Sequence, residues 1–547
     1  MRTEYHADFL EAAISCCLAG RRKGLPALMI SRFHIERERV YRQPALDGRE
    51  DAFQQLHLKW FREWGLEDTL KKLARGLAGF EPQLTSLTYR KAQNRKDEGA
   101  ELYADPGGLR RVVMALRGDR FDAHDFLPNA KAQGAVAALA EHGLQQAGLP
   151  GVDVPDAQSA LGQLAQQWRS QFTLPLIAVT GSNGKTTVTQ MIASILRAAA
   201  GAAAEDEVLA TRGNLNNDIG VPLTLLRLRH THRLGVVELG MNHPGEIAWL
   251  ATLAQPAVAL VNNAQREHQE FMHSVEAVAR ENGAVIAALP ANGVAVFPAD
   301  DTYSPLWREL AGTRPCLCFA CEPRPDAPVH AQTMQWRSDH WHVQAHAPAG
   351  AFAFDLYTAG RHNVKNALAA AACASAAGIG LADIEAGLSS FTPVQGRSRT
   401  IGAVWQGRPI TLVDDSYNAN PDSVRAAIDL LRELPAPHVL VLGDMGEVGE
   451  QGASFHEEVG QYAAAQGIEH LLTLGALARH SAARHSAAQH AGDRAQDWPQ
   501  AWDMLQGLLP HAGSVLVKGS RFMGMERIVQ AMLHAADGTQ ERMAPCC

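Results

Sequence analysis

Between Thr180 and Thr187 the chain reads Thr-Gly-Ser-Asn-Gly-Lys-Thr-Thr, a run whose residue types suit the holding of a chain of phosphates. It follows the apolar stretch Leu176-Ile-Ala-Val-Thr180 and opens a helical one, Val188 to Ala199. In that setting Gly181 and Gly184 let backbone N–H groups close on phosphate oxygens at a helix N-terminus, Lys185 meets the β- and γ-phosphates, and the Thr186 hydroxyl meets Mg²⁺. Ser182, Asn183 and Thr187 complete the loop. The common spacing would put a glycine at Val179, so this is a variant in which two glycines carry the turn.

A metal-bound triphosphate needs a second acidic ligand at the end of a neighbouring strand. The string Val236-Val-Glu238-Leu-Gly supplies Glu238 where an apolar strand closes, the place at which α/β sheets bind ligands. One strand further on, Val261-Asn-Asn-Ala-Gln-Arg-Glu-His268 sets polar groups at the corresponding position, with His268 a candidate ligand for a second metal. A single histidine in such a place is more often structural than ligating.

Two other clusters carry less. Cys316, Cys318 and Cys321 with His340 and His342 have the residue types of a zinc site, but both stretches alternate as strands do, where small thiols are ordinary core residues. His480, His485 and His490 recur every five residues, which puts them on different helix faces and predicts a solvated surface.

These residues need a scaffold of alternating strands and helices, and the chain supplies one from about Pro175 onward. Short β-rich runs (Leu234 to Glu238, Ala257 to Val261, Ile410 to Val413, His438 to Leu442, His470 to Leu474, Ser514 to Lys518) alternate with helical stretches, the mark of parallel α/β layers. The stretch Thr392-Pro-Val-Gln-Gly-Arg397 interrupts the pattern and predicts a hinge. It divides a nucleotide-binding core from a smaller doubly wound domain, whose tail beyond about Gly538 is expected to fray. Before Pro175 the periodicity is mostly helical, as in Phe53 to Trp64.

With 547 residues the chain has room for three or four domains. Its net charge of −8 gives no basic field for nucleic acid. Glu4, Asp8 and Glu11 precede the apolar patch Ala12 to Ala19 where a secretory signal would carry positive charge, and charges interrupt every apolar run. No signal peptide and no membrane insertion are expected. Eight cysteines without framework spacing fit reduced thiols in the cytoplasm.

Seven strings fall in an order that resembles the Mur ligases. They are Thr180 to Thr187, Gly213 to Pro222, Val237 to Ile247, Gly360 to Leu368, Asp414 to Pro421, Leu442 to Glu447 and Leu516 to Ser520, within a likeness running from about Val112 to about Ala535. The resemblance implies an α/β, three-domain Mur-ligase-like architecture: a partial UDP-substrate-binding domain at 112–174, a central P-loop ATPase domain at 175–396 and a C-terminal Rossmann-like domain at 397–547. Residues 1–111 stand outside it as an atypical helical segment. It implies ATP and Mg²⁺ as cofactors, UDP-N-acetylmuramoyl-tripeptide and D-alanyl-D-alanine as substrates, and a monomer.

Carried over by position, the resemblance makes Lys185 and Thr186 phosphate and Mg²⁺ contacts, Glu238 a Mg²⁺ ligand and His268 a ligand of a second metal. Asn363 and Asn366 lie near adenine, Asp415 near the ribose, and Arg397 reaches the phosphates from the hinge. Asn214, Asn216 and Asn217 line the nucleotide-peptide, and Arg117 or Arg120 meets the UDP diphosphate. The chemistry implied is phosphoryl transfer to a carboxylate followed by attack of an amine on the acyl phosphate, driven by cations and N–H donors rather than a covalent nucleophile.

The chain departs from the family in two places. Mur ligases commonly carry a carbamylated lysine as an extra metal-binding acid, where this chain has Asn282, with Glu281 the one acidic substitute beside it. No Asp-Ser-Arg element of the family's UDP site occurs in 1–111, a segment that reads either as a fused helical domain or as a frameshifted, truncated first domain. Two alternatives remain: a related ligase resembling folylpolyglutamate synthase, and a nucleotide-binding scaffold without ligase activity. The strings from Asn214 and from Asp414 argue against the first, and intact Lys185, Thr186, Glu238 and His268 against the second.

Overall fold

The computed structural model describes residues 111–118, 121–337, 339–487, 491–536 and 538–540. The mostly helical reading of 1–110 and the candidate Arg120 lie outside the described residues. The chain forms two compact units, one running to Thr173 and taking in Asp218–His230, the other made of Leu174–Asn217 and everything from Thr231 onward.

In the smaller unit the strands Arg111–Met114, Ala135–Ala140 and Gly151–Asp153 pair in parallel. The helix Ala157–Arg169 starts on Asp156, whose carboxylate accepts from the N–H groups of Gln158 and Ser159. Its buried Trp168 donates to the Leu228 carbonyl at 3.2 Å and so ties the segment Asp218–His230 to this unit.

The larger unit is built on three sheets. In the first, Leu176–Thr180 lies between Leu234–Glu238 and Val258–Val261, with Val208–Ala210 and Val294–Val296 outside them and every pairing parallel. All five residues of Leu176–Thr180 are buried, which a parallel strand covered on both faces requires. The helix Lys185–Ala200 follows it and buries Val188, Met191, Ile192, Ile195 and Leu196, the i, i+3, i+4, i+7, i+8 stripe of a core-facing helix. Against it lies Arg361–Ala376, buried from Ala367 to Ala374 because alanines let helices approach closely. The same core takes in the second sheet, where in His340–Ala347 Trp341, Val343, Ala345 and Ala347 point inward and the histidines alternate outward.

The third sheet has seven strands, in the order Ala491–Ala495, His470–Leu474, His438–Gly443, Ser514–Lys518, Arg408–Asp415, Arg399–Trp405 and Gly538–Gln540. Alternate residues of one strand enter opposite cores: Leu440, Leu442 and Leu516 join one cluster, while Val439, Val441, Val515 and Val517 join another. The sheet is therefore covered on both faces, as a doubly wound domain must be.

Two expectations are corrected. The first residues of the tail, Gly538–Gln540, do not fray but pair antiparallel with the otherwise free edge Arg399–Trp405, and the tail past Gln540 lies outside the described residues. His485 is not on a solvated surface: it is buried on Arg479–Ala487 and bonded to the Ile468 carbonyl at 2.8 Å, because that helix packs its neighbouring face against Gly452–Ala465. His480 is part-exposed, and His490 lies outside the described residues.

The tightest helix contact predicts a stability effect. A Cβ on Gly387 would lie 2.3 Å from the Ile195 Cα, and the Ser194 hydroxyl donates to the Gly387 carbonyl at 2.7 Å. Gly387→Ala must push the helices Leu381–Ser389 and Lys185–Ala200 apart, so urea denaturation should show a loss of about 1–3 kcal/mol.

Candidate active site

The phosphate loop sits where Leu176–Thr180 leaves the middle of the five-stranded sheet. Gly181 and Gly184 have φ of 128° and 81°, a region that side chains other than glycine rarely enter. Neither has room for more than hydrogen: a Cβ on Gly181 would lie 3.0 Å from the Asn262 and Asn263 amide nitrogens, and one on Gly184 2.6 Å from the Asn366 Oδ1. The helix Lys185–Ala200 then begins with no side-chain cap, so its first N–H groups are left for an anion.

A ring of neutral amides holds this loop. Asn282 Oδ1 accepts from the Gly181 N–H at 2.9 Å, Asn263 Oδ1 from the Asn183 N–H at 2.9 Å, and Asn262 Nδ2 donates to the Asn183 carbonyl at 2.8 Å. Asn262 Nδ2 also donates to Asn366 Oδ1 at 3.0 Å, Asn366 Nδ2 to Asn363 Oδ1 at 3.0 Å, and Asn363 Nδ2 to the Ala359 carbonyl at 2.8 Å. Ser182 Oγ accepts from the Gln265 N–H at 2.9 Å, and Asn420 Nδ2 donates to Asn183 Oδ1 at 2.9 Å.

Lys185 points back into the loop, donating to the Gly181 carbonyl at 2.6 Å, the Ser182 carbonyl at 3.1 Å and Glu267 Oε1 at 2.6 Å. Burial alone would raise the Glu267 carboxyl, but the adjacent Lys185 and His268 charges outweigh it and hold it below the usual range. His268 lies between two acids, with Nε2 3.4 Å from Glu267 Oε1 and Nδ1 2.6 Å from Glu447 Oε2. Burial opposes the charged ring, yet these two carboxylates push it up to about 9.

At the end of the next strand Glu238 is 2 % exposed, with Oε1 accepting from Asn216 Nδ2 at 2.7 Å. Its Oε2 and the Thr186 Oγ1 are buried and have no hydrogen-bond partner among the described residues. A buried hydroxyl and a buried carboxylate oxygen, both unpaired, are the hard oxygen donors that Mg²⁺ takes, so these residues fit that ion. Asn282 does not have its carbonyl oxygen free, since that oxygen accepts from the Gly181 N–H at 2.9 Å. Nor is Glu281 a substitute acid: its two oxygens accept from the Gly245 and Ile247 N–H groups at 2.9 and 2.8 Å and cap the helix Glu246–Ala254.

The lobe of the seven-stranded sheet reaches this loop through Arg266, which forks onto Asp422 (2.6 Å) and Glu458 (2.6 Å) at once. Its guanidinium pKa is raised chiefly by the bond to Glu458 and then by Asp422. Arg397 lies in the hinge turn with its guanidinium 4.1 Å from the centre of the Tyr417 ring. Both Asp415 oxygens are engaged, one by the Ser398 N–H at 2.9 Å and the other by the buried Lys518 ammonium at 2.6 Å.

In the smaller unit Arg117 donates to Asp122 Oδ2 at 3.1 Å and lies 3.1 Å from His142 Nε2. Asp122, His124 and His142 converge closely enough for a metal. However, His124 has both nitrogens in use, Nδ1 against Asp122 at 2.5 Å and Nε2 accepting from the Glu141 N–H at 2.9 Å, and Arg117 adds a repelling cation. The His124 N–H holds the Asp122 carboxyl down to about 2. The cysteine cluster is likewise made of thiols: burial raises all three, Cys318 to about 11.

Sequence reasoning passed over Asn262, Asn263, Arg266, Glu267, Asn420 and Lys518. The first four stand in the polar string before His268 and Lys518 in the string from Leu516, but which of them meets the phosphate loop depends on how the strands pair.

Comparison with known proteins identifies the family to which the fold carrying this site belongs. The family model "Mur ligase middle domain" matches residues 179–374, and "Mur ligase, glutamate ligase domain" matches 396–521. The chain belongs to the Mur ligase family. Within it, the UDP-N-acetylmuramoyl-tripeptide–D-alanyl-D-alanine ligase of Escherichia coli K12 is 38 % identical over 430 residues, 77 % of this chain and 90 % of that protein. The enzyme of that name from Haemophilus influenzae is also 38 % identical, with the same coverage. Among solved structures, MurF from Acinetobacter baumannii superposes with a TM-score of 0.71 at 34 % identity, over 77 % of this chain and 90 % of that one. MurF from Thermotoga maritima in complex with ADP gives 0.66 at 25 %, over 78 % and 95 %.

The double fork of Arg266 predicts its own cost. Removing one partner of a fully buried pair costs about 3–5 kcal/mol, but Asp422 and Glu458 are 23 % and 34 % exposed, which screens much of it. Arg266→Ala should therefore lose about 1–2 kcal/mol in urea denaturation, and Arg266→Lys should restore only part, because an ammonium cannot fork onto two carboxylates.

Proposed function

We propose that the protein joins D-alanyl-D-alanine to UDP-N-acetylmuramoyl-tripeptide at the expense of ATP, in the synthesis of the peptidoglycan precursor. The observation that carries the proposal is the Lys185 cradle, found in a chain that spans nine-tenths of relatives bearing that activity in their names. It acts as a monomer in the cytoplasm, where its nucleotide substrates are made.

The terminal carboxylate of the tripeptide attacks the γ-phosphorus of ATP, the bond to ADP breaks, and an acyl phosphate forms. The amine of D-alanyl-D-alanine then attacks the acyl carbon, loses its proton, and phosphate leaves with the carbon–oxygen bond that breaks. Negative charge gathers on phosphoryl oxygens in the first step, and the groups that would receive it are the uncapped N–H groups at the start of Lys185–Ala200 and the Lys185 ammonium, turned from the Gly181 carbonyl that it bonds. Gly181, Ser182, Asn183, Thr186 and Thr187 line the same loop. Thr186 and Glu238 would hold Mg²⁺, which would neutralise phosphate charge.

The remaining assignments follow position. Asn363 and Asn366 border adenine, Asp415 the ribose, and Arg397 turns from Tyr417 to the phosphates. Asn214, Asn216 and Asn217 face the nucleotide-peptide, and Arg117 its diphosphate. The Arg266 fork holds the two lobes together around the acyl phosphate and keeps water from it.

Phosphate release by the purified chain should require ATP, Mg²⁺, UDP-N-acetylmuramoyl-tripeptide and D-alanyl-D-alanine together, with the ligated product seen by mass. Lys185→Ala should lower turnover by about 10²–10³-fold. Asn216→Ala, which frees Glu238 to swing, should raise the Mg²⁺ needed for half-maximal rate about 10-fold. Release without either peptide substrate would contradict the ligase.

A further inference from the structure

Asn282 is 1 % exposed, and only half of its side-chain amide is accounted for. Its Oδ1 accepts from the Gly181 N–H at 2.9 Å, while its Nδ2 is buried with no hydrogen-bond partner among the described residues. We infer that Asn282 is a catalytic residue of the phosphoryl transfer, its NH₂ group donating to an oxygen of the γ-phosphate. The inference rests on the reading of the loop as an ATP site.

The neighbouring backbone decides which end of the amide is free. The two ends of a side-chain amide have nearly the same shape, but the Gly181 N–H is a donor, so the oxygen must face it. What remains is an NH₂ group, which can only donate and therefore attracts an anion and repels a cation. In this it differs from the unpaired Thr186 Oγ1 and Glu238 Oε2, the oxygens that suit Mg²⁺.

The amide is also firmly placed. Asn282 shares the buried face of the helix Val275–Ala287 with Val278, Ala279, Val285 and Ile286, a stripe on which an apolar side chain is the ordinary occupant. Its backbone carbonyl accepts from the Thr180 hydroxyl at 3.1 Å, so main chain and side chain both fasten it to the strand end that opens the loop. The helix Ser304–Ala311 packs tightly on the same element: Trp307 Nε1 donates to the Ala279 carbonyl at 3.0 Å, and a Cβ on Gly283 would lie 2.6 Å from Leu310 Cδ1. A buried donor held so rigidly cannot turn to find a partner, and its partner must come to it. Asn282 meets the loop at Gly181, the residue whose carbonyl holds the Lys185 ammonium at 2.6 Å, so the amide stands at the same end of the triphosphate as the lysine. Charge that develops on the γ-phosphoryl oxygens in the transition state strengthens such a bond without any rearrangement of the protein.

The alternative role is a brace, in which Asn282 does no more than hold Gly181 through its oxygen. The two roles part at one atom. An aspartate would brace Gly181 with a carboxylate oxygen, but would set a second oxygen where the NH₂ group now stands.

The test is Asn282→Asp in the full chain, with Asn282→Ala, which adds no buried charge, as a second variant in case the carboxylate unfolds the protein. Affinities for AMP-PNP and for ADP, each with Mg²⁺, are measured by calorimetry, and turnover by phosphate release at saturating substrates. In Asn282→Asp the affinity for AMP-PNP should fall about 10–100-fold while that for ADP stays near the wild type's, and turnover should fall about 10²–10³-fold. In Asn282→Ala the ratio of AMP-PNP to ADP affinity should fall in the same direction. Wild-type turnover with an unchanged ratio in Asn282→Asp would overturn the inference in favour of the brace and leave the ligase reading intact, and faster turnover in that variant would overturn it because the place would then favour an acid. Failure of the wild type to bind AMP-PNP would overturn the inference together with the ATP site on which it rests.

Discussion

Lys185 carries a full charge on a side chain that is 13 % exposed, and a charge so placed must be surrounded by oxygen. Two of those oxygens are carbonyls of its own loop, Gly181 and Ser182, which can face the ammonium only if the loop curls through conformations open to glycine. The curl is held from outside by Asn262, Asn263 and Asn282, whose amides add no charge to a place that must admit a polyanion. The third oxygen is the Glu267 carboxylate, which sets the electrostatics of everything near it.

The segment that carries Glu267 also joins the lobes. Arg266, one residue before it, is gripped by Asp422 and Glu458, and His268, one residue after it, is paired with Glu447. His268 and Glu447 both hold positive φ, 49° and 58°, at about 1–2 kcal/mol each. The ion pair between them joins two positive-φ residues from the two lobes, so the packing of the lobes and the conformation of the loop beside Lys185 depend on each other. A change in the charge facing Lys185 is felt first by the residues that hold the lobes together.

Much of the fold was legible because burial writes itself into local pattern. The parallel strands from Leu176 to Lys518 appear as short apolar runs, and the helix Lys185–Ala200 as a stripe at Val188, Met191, Ile192, Ile195 and Leu196. The family could be recognised because the phosphate loop and the strings after it are local in sequence. What could not be read is long-range pairing. Asn282 bonds Gly181 across a hundred residues and Arg266 bonds Glu458 across nearly two hundred, and no periodicity encodes such partners. His485 was misjudged for the same reason, since a five-residue spacing says nothing about the carbonyl of Ile468 that receives it. The edge strand at Gly538 is invisible locally because its one reason to be ordered is the unpaired edge beside it.

The central claim is that the γ-phosphate of ATP is passed to the tripeptide carboxylate before the amine attacks. The most direct test is to label both oxygens of that carboxylate with ¹⁸O and to follow one turnover by mass. The account predicts one ¹⁸O in the released phosphate and one in the new amide. Phosphate free of ¹⁸O, with both labels accounted for elsewhere, would contradict it.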